Sequence, residues 1–277
     1  MSKKTTLIAV GGGEMAESKQ ALDEILGYLK KRSDPRIAIM TVATNEGGAA
    51  SVKYNNLFRR IGIKHVDVVD IEQRGDAFDT NSLKKVGNAD ALFFTGGDQL
   101  NITSLLGGTP LHELIQERFK EGVLIAGVSA GAAMMSSSMI ISGESDAPPK
   151  VGGVEIAPGM NMIESTVIDS HFSQRGRHGR LLTAVAHYPQ VLGLGIDERT
   201  AIIFRNGEFA VVGEGVVTVF DGRHIRHTDL PYRKDDETVG LFGVCIHVLP
   251  DGYRYNMKTR EPIAPTLTKM AGVDAEV

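Results

Sequence analysis

Short apolar runs, several of them cut off by glycine, set the rhythm of the chain. Leu7-Ile8-Ala9-Val10 stops at Gly11-Gly12-Gly13-Glu14, and a stretch with helical spacing follows through Ala21, Ile25, Leu26 and Leu29. Arg36–Val42 is the next apolar run, Tyr54–Ile61 has the pattern of a helix, and His65–Asp70 alternates as a strand does. Ala89–Phe94 ends at Thr95-Gly96-Gly97-Asp98-Gln99, ahead of a helix expected over Leu111–Lys120. Val123-Leu124-Ile125-Ala126 leads into Gly127-Val128-Ser129-Ala130-Gly131, and Ala132-Ala133-Met134-Met135 opens a buried helix. Runs this short and this apolar are strands covered on both faces. Their alternation with helices predicts a parallel sheet between helical layers.

The pattern changes after about Ser142. Ser142–Gly159 is rich in Gly, Pro and Ser and reads as a long surface loop. Thr166-Val167-Ile168 and Leu192–Ile196 are further buried runs. Past Thr200 helical spacing fades, and Ala201–Phe204, Asn206-Gly207 and Phe209–Val212 make a β-hairpin with an Asn-Gly turn. Val216–Phe220 and Leu241–Leu249 continue in the same manner. The expected fold is α/β in three layers: a mostly parallel sheet flanked by helices, with antiparallel strands from the C-terminal part extending it. No linker or repeat interrupts the chain, so residues 1–277 are expected to form one domain, with the last dozen residues fraying.

Ligands of such folds lie beyond the carboxyl ends of the strands. Four stretches meet that description: Gly11–Glu14, Gly96–Gln99, Gly127–Gly131 and the region after Val167-Ile168. Gly-x-Ser-x-Gly between a buried strand and a buried helix is the pattern of a nucleophile elbow, which makes Ser129 a candidate nucleophile. Small residues also stand where a strand and a helix merely pack closely, so the case for Ser129 depends on a base and an acid downstream. His171 falls just past the Thr166–Ile168 run, on the rim where Ser129 belongs; His178 is its nearest competitor. Asp197 and Glu198 follow the Leu192–Ile196 run, and either one is placed to orient the histidine. The Gly96-Gly97 pair lets backbone approach a ligand, so the N–H groups of Gly97 and Ala130 are the expected oxyanion hole. Arg175, Arg177 and Arg180 crowd the segment after His171, where guanidinium forks suit substrate carboxylates.

Composition narrows the classes. The 277 residues carry a formal net charge of −4, and the arginines have no interleaved aromatics, so nucleic acid is not an expected partner. Glycines cut the first apolar run before a signal-peptide core forms, and no stretch is apolar enough to span a bilayer. The single cysteine, Cys245, allows no internal disulfide and reads as a buried inert thiol. A cytoplasmic protein is expected, without a cofactor. Gly11-Gly12-Gly13 lacks the spacing of a phosphate-binding motif, and no His/Cys/Asp spacing points to a metal.

These stretches together resemble the cyanophycinases, a family of serine peptidases similar also to aspartyl dipeptidases and to the class I glutamine-amidotransferase fold. The resemblance rests on Gly12-Gly13-Glu14, Thr95–Gln99, Gly127–Ala132, Ile168-Asp169-Ser170-His171-Phe172 with Arg175, Arg177, Arg180 and Leu181 behind it, and Gly195-Ile196-Asp197-Glu198. It implies Ser129 as nucleophile, His171 as base and Glu198 as acid, with Gln99, Asp169, Ser170, Arg175, Arg177 and Arg180 around the substrate. It implies a homodimer acting on cyanophycin, a poly-aspartate chain bearing arginine on each side chain, which is cut to β-Asp-Arg dipeptides. Ser170 is a departure, since the resemblance implies Gln there. The rival readings are a peptidase for Asp-X dipeptides and a scaffold of this fold without chemistry.

Overall fold

The computed structural model describes residues 5–44 and 46–266. The fraying expected for the last dozen residues falls almost entirely outside them. The larger sheet has nine strands: β1 (Thr6–Val10), β2 (Arg36–Met40), β3 (His65–Val69), β4 (Ala91–Phe94), β5 (Leu124–Val128), β10 (Thr200–Arg205), β11 (Glu208–Gly213), β16 (Arg254–Asn256) and β17 (Glu261–Ile263). Their order is β17-β16-β11-β10-β1-β5-β4-β2-β3. The five strands from β1 to β3 in that order are parallel, and β10, β11, β16 and β17 add antiparallel to the edge of β1.

Six further strands form a second sheet, where the sequence pattern predicts a single one. It holds β6 (Ser136–Gly143), β7 (Val154–Pro158), β8 (Ile163–Ser170), β9 (Leu192–Ile196), β12 (Val217–Asp221) and β15 (Cys245–Leu249) in the order β15-β12-β9-β8-β6-β7. A two-stranded ribbon of β13 (His227–Thr228) and β14 (Leu241–Phe242) stands beside it. The expected surface loop over Ser142–Gly159 therefore contains the end of β6 and all of β7. Val154-Glu155-Ile156-Ala157 has the alternation of an edge strand, set among the glycines and prolines that masked it.

Helices cover both faces of the larger sheet. α1 (Lys19–Leu29) and α2 (Gly47–Arg60) pack on one face, where Ile25, Leu29, Leu57 and Phe58 meet Ile8, Val10, Ile37, Ile39 and Phe93. α3 (Thr80–Gly87), α4 (Gln99–Leu106) and α5 (Pro110–Lys120) cover the other, where Leu7, Ala9, Met40, Leu92 and Phe94 point. That alternation along β1, β2 and β4 is the period-two pattern of a strand buried on both sides. The second core also takes Ile168, Leu194, Ile196, Val217 and Val219 from the smaller sheet, so the two sheets share one apolar interior. α7 (His178–His187) closes the outer face of the smaller sheet with Leu181, Ala184 and Val185 against Val167 and Phe220. Each such side chain, taken fully out of water, contributes about 1.5–3 kcal/mol.

Two consequences set the site. Val10 pairs with Val128, and Phe94 with Gly127, so the chain leaves β1, β4 and β5 side by side at one end of the larger sheet. Ser170 pairs with Ile196, so the chain leaves β8 and β9 together as well. The His171 N–H donates to the Gly11 carbonyl at 2.6 Å, which joins the two ends.

Candidate active site

Ser129 sits between β5 and a short helix, α6 (Ala130–Ala133), with φ 54° and ψ −108°. A non-glycine residue in this region is strained, by about 1–3 kcal/mol, and survives only where its surroundings hold it. Here the Ser129 N–H donates to the Val10 carbonyl, and the flanking glycines let the turn close. A Cβ on Gly127 would lie 2.2 Å from the Gly131 carbonyl oxygen, and one on Gly131 2.4 Å from that of Phe94. The expected buried helix is thus a single turn, too short for a large dipole; what it offers is free N–H groups at its start. Ala130 is its first residue, and Gly97 lies on the neighbouring β4 turn, whose Gly96 faces the Ser129 Cβ.

Ser129 Oγ lies 3.0 Å from His171 Nε2, and His171 Nδ1 lies 2.6 Å from Glu198 Oε1. Hydroxyl, imidazole and carboxylate therefore stand in one hydrogen-bonded line, the arrangement that lets a ring nitrogen take a hydroxyl proton. His171 itself has φ 48°. Its ring fills the space over Gly12, where a Cβ would lie 2.3 Å from Cε1; only glycine leaves room for the imidazole. Asp197, the other candidate acid, is buried and turned away: its Oδ1 accepts the Ser173 N–H at 2.9 Å and its Oδ2 the Val216 N–H at 3.2 Å. The chain leaves β9 at Ile196 and turns at Glu198, and that turn separates an anchor from the histidine's partner.

The surrounding residues divide in the same way. Ser170 Oγ is 3.4 Å from Ser129 Oγ, and Gln99, the first residue of α4, donates its amide to the Ile140 carbonyl. Asp169 and Ser170 lie within β8 and not past its end, and Asp169 is 2% exposed. Arg180 lies in α7, 8% exposed, and grips both oxygens of Asp169, with Nε at 2.7 Å from Oδ2. Arg177 Nη1 reaches the Ser170 carbonyl at 2.6 Å and Asp169 Oδ1 at 3.2 Å. Arg175 is exposed and its side chain has no hydrogen-bond partner among the described residues. The arginine-bearing segment after His171 is a one-turn 3-10 helix, Ser173–Arg175, then Gly176, then α7. The three arginines are therefore graded in depth, and Asp169 and Arg180 are spent on each other beneath the surface.

The chain is similar to known proteins over most of its length. The sequence profile of peptidase family S51 matches residues 7–212. The chain belongs to peptidase family S51. It is 35% identical over 263 residues to the cyanophycinase of Geminocystis herdmanii (strain PCC 6308), covering 94% of this chain and 97% of that one. Against the cyanophycinase of Trichormus variabilis (strain ATCC 29413 / PCC 7937) it is 35% identical over 262 residues, covering 93% and 87%. The fold matches the crystal structure of a peptidase from an acI-B1 Actinobacterium with a TM-score of 0.66 at 20% identity, covering 94% of this chain and 97% of that one. A putative peptidase E protein from Listeria monocytogenes EGD-e shares the fold with a TM-score of 0.55 at 18% identity, over 76% of this chain.

In this S51 peptidase the electrostatics favour a neutral imidazole. Burial holds the His171 pKa below its ordinary 6.5; Glu198 opposes that through its hydrogen bond, while the charges of Arg175 and Arg177 add to it. Burial also brings the Arg177 guanidinium down to about 10, which leaves it charged at neutral pH. Gln174 is a site residue that the sequence did not signal: its Oε1 accepts the Glu198 N–H at 3.0 Å and so fixes the segment carrying the acid. Phe172, in the stretch that carries the family resemblance, is buried against Gly195 with its ring 4.6 Å from that of His178. Among the described residues no group of three His, Cys, Asp or Glu stands close enough to hold a metal, and no helix is long and apolar enough to cross a membrane.

Proposed function

We propose that this S51 peptidase hydrolyses cyanophycin, releasing β-Asp-Arg dipeptides through Ser129, His171 and Glu198. The observation that carries the reading is the 3.0 and 2.6 Å line from the Ser129 hydroxyl through His171 to Glu198, on a strained turn beside free N–H groups. Two relatives named as cyanophycinases, similar over nearly the whole chain, support the substrate.

The chemistry follows. Ser129 Oγ attacks the aspartyl carbonyl carbon while His171 Nε2 takes the hydroxyl proton. The oxygen that gains negative charge is held by the N–H groups of Gly97 and Ala130. The C–N bond breaks as His171 returns the proton to the departing amine. Water then attacks the ester, His171 takes its proton, and Ser129 is released with that proton while the product leaves as a carboxylic acid. Glu198 keeps the proton of the resting imidazole on Nδ1 and stabilises the ring when it is charged. Gln99, Ser170, Arg175 and Arg177 line the substrate side in this reading, and the enzyme works as a homodimer in the cytoplasm.

The test is hydrolysis of cyanophycin compared with a panel of Asp-X dipeptides, with a serine-directed fluorophosphonate as a label. Wild type is expected to degrade the polymer and take the label, and Ser129→Ala to lose both, with a rate on the order of 10⁶ lower. Turnover of the dipeptides and not the polymer overturns the substrate. Near-normal turnover by folded Ser129→Ala overturns the nucleophile. Sedimentation of a monomer overturns the dimer.

A further inference from the structure

The geometry points to Asp146 as the carboxylate that recognises the guanidinium of the substrate. This rests on the reading of the substrate as a polymer of arginyl-aspartate units. Each unit presents carboxylates and a guanidinium, so the site needs both signs of charge. Arg175 and Arg177 supply the cations. Asp169, a carboxylate expected around the substrate, has both of its oxygens taken by Arg180, and Arg177 shares one of them, in a buried cluster. Glu198 is committed to His171. A further carboxylate is required, and it has to stand free beside the arginine segment.

Asp146 meets both conditions. It lies on the connection from β6 to β7, which is pressed along the arginine segment. The Asp146 N–H donates to the Gly176 carbonyl at 3.0 Å, and a Cβ on Gly179 would lie 1.8 Å from the Ala147 carbonyl oxygen. The contact with Gly176 is closer still. The position a Cβ would occupy there is 1.6 Å from Asp146 Oδ1, and Gly176 has φ 57°. The carboxylate thus stands where residue 176 would carry its own side chain, between Arg175 and Arg177. One turn of chain leads from there back to the base, with the Arg175 N–H on the His171 carbonyl at 3.0 Å.

The bland alternative is a solvated turn residue whose carboxylate happens to face water. Two observations weigh against it. Asp146 is exposed and has no ion pair or side-chain hydrogen bond among the described residues, although Arg175 and Arg177 flank its contact point. Its neighbour Glu144, by contrast, is paired with Lys150 at 3.2 Å. A carboxylate whose backbone is tied to Gly176, unpaired beside an arginine-bearing segment one turn from the base, has the partner it lacks in the substrate's own guanidinium. Planar carboxylate–guanidinium pairing gives both strength and direction.

The experiment compares two oligomers of the polymer, one bearing arginine and one bearing citrulline, whose neutral urea group has the same shape as guanidinium. The full-length wild type, Asp146→Asn and Asp146→Glu are measured for kcat, KM and unfolding midpoint. Wild type is expected to prefer arginine. Asp146→Asn keeps the shape beside Gly176 and is expected to lose roughly tenfold to a hundredfold in kcat/KM on arginine, the worth of one charge-assisted hydrogen bond, with little change on citrulline. Asp146→Glu recovers part of the preference. If Asp146→Asn does not fold, Asp146→Ser, which removes the atom crowding Gly176, carries the same comparison. An unchanged arginine-to-citrulline ratio, or an equal loss on both oligomers, overturns the assignment while leaving the substrate intact. A wild type inactive on both oligomers overturns the substrate reading and this assignment with it.

Discussion

Replacing Arg180 with alanine removes a side chain that is 8% exposed and that holds both oxygens of Asp169, itself 2% exposed. The loss strands a buried carboxylate with only Arg177 Nη1, at 3.2 Å, to compensate it. Breaking a buried ion pair from one side costs about 3–5 kcal/mol, because the remaining charge stays out of water without its partner. Unfolding entropy of about 2.1 cal/mol/K per residue gives about 0.6 kcal/mol/K for 277 residues, so the unfolding midpoint should fall by about 5–9 °C. Arg180→Lys should recover part of that, since a point charge reaches one oxygen and not both. Arg175→Ala is the control: an exposed side chain without a partner is worth within about 0.5 kcal/mol. The assay is calorimetric unfolding of the three variants, alongside polymer hydrolysis measured well below the lowest midpoint. Arg180→Ala with an unchanged midpoint and a lost affinity for substrate would refute the reasoning and return Arg180 to the substrate-binding surface.

Two further predictions concern the acid and the base. Glu198→Gln should lower kcat by on the order of 10²–10⁴, since the amide keeps the shape but cannot stabilise a charged imidazole; Asp197→Asn should instead lower the unfolding midpoint with a smaller effect on kcat, and the opposite ranking would make Asp197 the acid. The acid limb of kcat/KM should lie below pH 6.5, because buried His171 resists protonation and only its neutral form accepts a proton. Arg175→Gln should move that limb to higher pH, by removing a charge that disfavours the imidazolium; a limb above 6.5, or a shift to lower pH, would contradict it. The same depression acts on stability. Above pH 6.5 folded and unfolded His171 are both neutral, and stability from this group is lost as pH falls through the folded pKa, where the unfolded chain binds the proton more readily.

The parallel core was legible in the sequence because its central strands are apolar on both faces and β1, β4 and β5 run into glycine-rich turns. Leu7–Val10, Leu124–Val128 and their neighbours need no partner's pattern to be recognised as buried. The second sheet was not legible for the converse reason. Val217, Val219 and Phe220 face two different cores, which reveals burial on both sides but not which strand lies alongside. A strand's own residues carry its period and not its neighbour, so β9 and β12 read as additions to the one sheet already inferred. α4 was hidden by its composition: Gln99–Leu106 buries only Ile102 and Leu106, too few to mark a face.

The candidate site shows the same division between what a residue is and what it meets. Ser129, His171 and the Asp197-Glu198 pair stood out because each follows a buried run, and strand ends of this fold gather at one edge. Which of the two acids faces the histidine depends on the Ser173 N–H holding the Asp197 carboxylate and on Gln174 Oε1 accepting the Glu198 N–H, contacts that no spacing announces. The arginines make the point most sharply. Three guanidinium groups within six residues look equivalent as text, yet helix α7 turns Arg180 inward to a carboxylate eleven residues earlier, while the 3-10 turn before it leaves Arg175 in water. Charge was readable from the sequence; depth was not, because depth is set by where the helix starts. The cluster is therefore not one patch but a buried ion pair, a bridging Arg177 and an exposed Arg175, three guanidinium groups in three different surroundings.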